Sequence, residues 1–225
     1  MKTLKRIALI FLSLIVVLIA VIVIGLVKLD QKTKAIDDDY QGIYTNTKYE
    51  KAIMIDNISV IKQDISCGYA VIEMFAKYLN NDIVTESYLY DTYGKVVTST
   101  GKSFAIEMNK QFKDYHTVMY KYLKNTDFID KVYNSLASGM PVPFEWAAKY
   151  DEKWTLHYSL IIGIDIPNDK VTVANPYGYL EEITIKELLD RTSFNAYENM
   201  PLFFKLGFAF NVFEKNTLFI VDSKK

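Results

Sequence analysis

Hydrophobic and polar positions divide the chain into an apolar head, a polar neck and a mixed body. From Ile7 to Val27 ("IALIFLSLIVVLIAVIVIGLV") 21 residues run without a charge, and only Ser13 and Gly25 break the apolar series. At about 1.5 Å per residue a helix of that length spans roughly 30 Å, the thickness of a bilayer core. A cleaved signal has a shorter apolar region, roughly 7–15 residues, and a small-residue cleavage site. The pattern therefore predicts a retained transmembrane anchor over 7–27, behind a short tail at 1–6. Residues 28–50 carry Lys, Asp, Gln and Thr and read as a polar tether. Residues 51–225 are left for one compact domain, long enough to bury a core.

Within that body the period changes twice. "AIMIDNISVIKQ" (52–63) has short apolar runs with β-branched residues and suggests extended chain. Val71, Met74, Phe75, Tyr78 and Leu79 then recur at helical spacing, which predicts a helix starting near Cys67. Asp64 or Ser66 can cap its start, and Asn80–Asp82 end it. Further helices are expected around Ser103–Phe112 and Asp127–Ser138, the second stopped by "SGMP". Beyond that point "PVPFEWAA", "HYSLIIGID", "KVTVAN" and "NTLFIVD" alternate like strands, with a short helix expected in "ITIKELLDRT". Helices followed by strands imply an α+β fold.

Charge and composition exclude several functions. Setting aside Lys2, Lys5 and Arg6 leaves 23 of the 26 basic residues against 27 acidic ones, which gives no electrostatic case for nucleic acid. One cysteine cannot form an internal disulfide. The two histidines, His116 and His157, form no zinc-ligand spacing with it, and "STGKS" lacks the full spacing of a phosphate loop. No metal or cofactor is expected. Basic residues flank the apolar run almost equally. The short basic N-terminus with its free amino group favours an N-inside orientation, with the domain outside the cytoplasm.

The single cysteine carries the candidate chemistry. Cys67 falls at the first turn of its predicted helix, where unpaired N–H groups and the dipole favour a thiolate and can stabilise an oxyanion. Gly68 beside it leaves room for a substrate backbone. Gln63, four residues upstream, offers an amide donor for the same oxyanion. His157 opens a predicted strand and is the candidate base. If the next two strands form a hairpin centred on Pro167, Asn175 lies opposite Ser159, on the pleat face of His157, and its oxygen can orient the imidazole. The plainer alternatives are a small buried Cys67, a core His157 and a turn-forming Asn175 ahead of Pro176. His116 reads as a surface or packing histidine. Trp146 and Trp154 read as packing residues rather than groups that shape a substrate site.

Four segments in order, "QDISCGYAVIEM", "SGMPV", "HYSLIIGID" and "VTVANPYG", resemble the papain-like cysteine peptidases. Among these they are most similar to the branch related to the bacteriocin leader-processing (C-39-like) peptidases. The resemblance covers roughly Ile53 to Arg191. It implies a helical lobe bearing the nucleophile Cys67 and an antiparallel sheet lobe bearing His157 as base then acid. Asn175 would be the orienter and Gln63 the oxyanion donor, and Gly139 and Pro141 resemble the turn before the sheet lobe. Gln63 stands about two residues closer to Cys67 than is usual, and this branch usually has Asp where the chain has Asn175. No segment resembles the ATP-binding transporter domains that accompany leader peptidases.

The expected function is a membrane-anchored thiol peptidase acting on a peptide, protein or isopeptide carbonyl through an acyl-thioester. Acyl transfer would use the same groups. The alternatives are a degenerate peptidase domain that binds peptide or cell-wall material, or a redox-active sensor or immunity protein.

Overall fold

The computed structural model describes residues 2–224. α1 (Lys2–Ile36) contains the apolar run and extends past it at both ends. It is the one described helix long and apolar enough to cross a membrane. Its last turns continue past Val27, and Ile36 is fully buried against the domain.

Residues 37–50 depart from the expected tether. They form two short 3-10 turns, Gln41–Thr45 and Thr47–Tyr49, strapped along the domain. Ile43 and Tyr49 are buried. The Tyr44 hydroxyl donates to Asp169 at 2.7 Å, and the Tyr49 hydroxyl to Asp130 at 2.6 Å. Asp38 accepts from the Thr126 backbone and hydroxyl. Aromatic rings set among the polar residues give the segment apolar area to bury and hydroxyls to anchor it.

The helical lobe comprises α2 (Cys67–Tyr78), α3 (Glu86–Tyr93), α4 (Gly101–Gln111) and α5 (Asn125–Ala137). α2 is its core: Tyr69, Val71, Ile72, Met74 and Phe75 are all buried, so the helix is covered on more than the one predicted face. Ser66 caps it, its hydroxyl accepting from the Tyr69 N–H at 3.2 Å, a contact worth about 1 kcal/mol. The positive φ of Asn80 ends the helical segment, as the "NND" sequence predicts.

The sheet lobe is one antiparallel sheet. β2 (Tyr115–Tyr120), β7 (Thr217–Ser223), β3 (Val142–Tyr150), β4 (Lys153–Asp165), β5 (Lys170–Asn175) and β6 (Tyr179–Ile183) lie side by side in that order. The short β1 (Ile53–Met54) pairs with the far end of β4. β4 outruns β3 at that end, and a register shift between Ile161 and Gly163 turns it towards β1. α6 (Ile185–Thr192) follows β6, and α7 (Leu202–Ala209) precedes β7.

The expected α+β order of helices then sheet holds, with two qualifications. β2 sits inside the helical half of the sequence, and α3, β6 and α7 join the expected elements. α7 packs on α1: a Cβ on Gly25 would meet Leu206 at 2.7 Å, and the Lys32 ammonium donates to the Phe208 and Ala209 carbonyls at 2.9 and 2.8 Å. Beside this junction Leu202, Phe203, Phe210 and Val212 remain exposed.

Candidate active site

Cys67 is the first residue of α2, as the sequence predicts. The turn that delivers it is held from outside the helix. The buried carboxylate of Glu86 accepts from the backbone N–H groups of Asp64 at 2.8 Å, Ser66 at 2.9 Å and Ile65 at 3.4 Å. Glu73, one turn along α2, accepts from the Glu86 N–H at 2.8 Å and closes the loop. Gly68 also serves packing, in addition to the substrate approach expected of it. A Cβ there would overlap the Thr98 hydroxyl and lie 2.8 Å from the Thr98 Cβ, so the missing side chain is what lets Thr98 close over the helix start.

His157 lies in the middle of β4, with Trp146 opposite on β3. The register Leu160–Ala174, carried one pair further, sets Asn175 opposite Ser159 as expected. His157 Nε2 and Asn175 Oδ1 are 3.1 Å apart. Asn175 is itself fixed. Its amide N–H donates to Glu181 Oε2 at 2.8 Å, and Glu181 Oε1 accepts from Arg191 at 2.6 Å. Arg191 also donates to the Ala147 carbonyl at 2.9 Å and lies 3.4 Å from the Trp146 ring centre. Because its nitrogen end is committed to a carboxylate, Asn175 presents only oxygen to the histidine. The imidazole then donates from Nε2 and keeps a lone pair on Nδ1. Tyr177 covers this pair: its ring stacks on His157 with centres 4.2 Å apart, and its N–H donates to Asn175 Oδ1 at 3.0 Å.

The Cys67 thiol lies near the strand that carries His157, where the N–H of Tyr158, with those of Gly68 and of Cys67 itself, favours the thiolate. Burial outweighs these donors and pushes the thiol up to about 11. Burial also lowers His157 to about 4, against the opposing pull of Asn175. Thiol and imidazole are therefore both neutral at rest, and no hydrogen bond joins them among the described residues. The pull of the helix start towards a thiolate is opposed here by partial loss of water around the sulfur.

Gln63 lies beside the pair: its N–H donates to the Pro176 carbonyl at 2.7 Å, and its side-chain oxygen is buried without a partner. With Tyr150, Thr155 and Tyr177 it lines an open cleft of about 410 Å³. Cys67 opens instead on a neighbouring cavity of about 220 Å³, and Thr155 lines both. The structure thus pairs His157 with Asn175, sets Gln63 beside Pro176 in the cleft that Tyr177 also lines, and places Cys67 in the adjoining cavity. His116 is exposed at the far edge of the sheet, opposite Asp222. Trp146 is buried between Arg191 and Ser159, as a packing residue. Glu86, Tyr177, Glu181 and Arg191 hold the site but carry no local sequence signal. Only Tyr177, in "NPYG", lies inside a quoted motif.

The Peptidase_C39 like family is matched over residues 55–201. The chain belongs to that family. The C39-like region takes in Cys67, His157, Asn175 and Gln63, and leaves out α1 and β7. No curated protein sequence matches the chain. The peptidase domain of Streptococcus ComA, a bi-functional ABC transporter involved in quorum sensing, is similar at 15% identity. That match covers 75% of this chain and 100% of the other, with a TM-score of 0.47. A double glycine motif protease from an AMS/PCAT transporter, solved with its leader peptide, is similar at 13% identity. It covers 77% of this chain and 99% of that one, with a TM-score of 0.46.

Proposed function

We propose that this C39-like domain is a cysteine peptidase that hydrolyses peptide or isopeptide bonds close to a membrane. The reading is carried by the His157–Asn175 hydrogen bond, set on the strand that runs beside Cys67 at the start of α2. Both groups start neutral, so the thiol proton moves to His157 Nδ1 as the sulfur bonds to the substrate carbonyl carbon. The carbonyl oxygen takes the negative charge, which the Cys67 N–H and the Gln63 amide stabilise. Collapse breaks the C–N bond, and the imidazolium returns the proton to the leaving amine. Water, deprotonated by His157, then attacks the thioester carbon; the C–S bond breaks, the imidazolium returns its proton to the Cys67 sulfur, and the acid is freed. Asn175 keeps the imidazole in the useful tautomer throughout.

The apolar run of α1 supports a membrane anchor, with the N-terminus inside and the domain outside. Labelling of a cysteine placed at exposed Asp56, by a reagent that cannot cross membranes, tests that orientation in a Cys67→Ala background.

The activity is tested with the full chain in nanodiscs, incubated with a peptide mixture read by mass spectrometry. Cleavage by the wild type that Cys67→Ala abolishes supports the peptidase. A second reading, a degenerate domain that binds peptide without cutting it, draws on the half-buried thiol, which partial loss of water disfavours as a thiolate. Retention of peptides without any Cys67-dependent cleavage would establish it.

A further inference from the structure

The cavity next to Cys67 contains more polar chemistry than the proposed reaction uses. Three of its lining side chains end in buried oxygens without a hydrogen-bond partner: Glu145 Oε2, Tyr158 Oη and Thr98 Oγ1. The three residues are 3%, 5% and 2% exposed. They come from different elements, β3, β4 and the turn before α4, and converge on one space of about 220 Å³. A buried unpaired oxygen costs about 1–3 kcal/mol, and three around one cavity are a large outlay unless something enters to satisfy them. No Lys or Arg lies within salt-bridge distance of Glu145 among the described residues. The nearest acid acting on it, Glu214, is already paired with Lys121 at 3.0 Å. The outer wall is apolar and includes Phe204 and Phe213.

We propose that this cavity is a subsite for a lysine side chain of the peptide attacked by Cys67. An ammonium carries three donors and no acceptor, which matches three separate oxygens better than the planar fork of a guanidinium does. The aromatic wall suits the methylene stem and favours the cation through its π faces. Burial raises the Glu145 carboxyl to about 8 in the empty cavity, with Glu214 adding to the effect. Entry of the ammonium drives that proton to solvent and leaves an ion pair. The other ionisable groups facing Glu145 are Cys67, Tyr158 and Tyr122. The inference rests on the peptidase reading for its substrate, but its test reads the cavity alone.

Cys67 is itself the reporter. The full chain in nanodiscs is treated at pH 8.5 with methanethiosulfonates bearing an ethylammonium, a methyl or an ethylsulfonate group. In each case the Cys67 sulfur attacks the sulfenyl sulfur, a disulfide forms, methanesulfinate leaves and the thiol proton goes to buffer. Rates are divided by those of free cysteine with the same reagent. The ammonium reagent is expected to react about tenfold faster than the methyl reagent, and the sulfonate more slowly. Glu145→Gln, close in shape, and Tyr158→Phe should each reduce the preference, Glu145→Gln to near parity. Equal corrected rates in the wild type, or a preference that survives Glu145→Gln and vanishes in Glu214→Gln, overturn the subsite. Cys67-dependent peptide cleavage would still stand in that case. A Cys67 that no reagent modifies overturns the subsite and the peptidase reading together.

Discussion

Asn175 Oδ1 lies 3.1 Å from His157 Nε2, while the nitrogen end of the same amide is held 2.8 Å from Glu181. The two contacts are not interchangeable. Turning the amide over would set its N–H2 group against the imidazole and its oxygen against a carboxylate. Glu181 and Arg191 thus decide the direction in which the histidine can pass a proton, from a distance of two hydrogen bonds.

Asn175→Ala removes that direction. Cleavage is expected to fall about 10- to 100-fold in kcat with KM little changed, as loss of one buried hydrogen bond of about 1–3 kcal/mol implies. A kinetic comparison on the first peptide found to be cleaved measures this. An equal fall in Cys67 alkylation by a small neutral reagent would instead mean that the fold around the thiol had changed.

Glu86→Ala frees three backbone N–H groups, at residues 64–66, from the carboxylate that gathers them. The turn ahead of Cys67 should loosen, with a loss of about 2–4 kcal/mol in urea unfolding. Hydrogen exchange should quicken at residues 64–67 before it does elsewhere. Glu86→Gln should fall between the two, since an amide oxygen still accepts.

Gly68→Ala forces a methyl group into Thr98. Overpacking of this kind costs about 1–3 kcal/mol. Relief by moving Thr98 would reshape the Cys67 cavity, so Thr98→Ala in the same chain should restore most of the lost stability. A double-mutant cycle gives the coupling.

Stability should peak in mildly acidic solution. Glu145 is raised from 4.5 to about 8, so its contribution is complete below 4.5 and disappears as pH rises towards 8. His157 is lowered from 6.5 to about 4, so its contribution is complete above 6.5 and disappears as pH falls towards 4. Glu145→Gln should abolish the alkaline loss, gaining on the order of 3–5 kcal/mol over the wild type at pH 8 relative to pH 4.5. Urea midpoints across that range measure it.

Local pattern was a sufficient guide where one face of an element does the packing. Alternation placed the hairpin, but its turn is centred between Pro167 and Asn168, and only the bulge between Ile161 and Gly163 shifts the register back so that Asn175 shares a face with His157. The start of α2 was legible because Ser66 caps a helix whose apolar residues begin at once. Edge and cover elements were not legible. β6 buries only Ile183 of its five residues, so it has almost no period to detect. α7, "LFFKLGFA", is apolar on nearly every side and points to no single face. Glu86, which gathers the turn before Cys67, bonds residues 20 to 22 positions away, beyond the reach of any local pattern. The neutral state of Cys67 was hidden for a related reason, since a helix start is a local feature and burial is a property of the whole fold.

The strap at residues 37–50 has a consequence for reach. With α1 embedded as proposed, nine residues of rigid helix, about 14 Å, separate Val27 from Ile36, and the chain is clamped to the domain from there on. Lys32 bolts the same stretch to α7. The candidate site therefore stands at a set height above the bilayer, like a blade on a post. A bond is offered to Cys67 only if its own chain carries it to that height, which makes the spacing between a substrate's membrane exit and its scissile bond a selection rule in its own right.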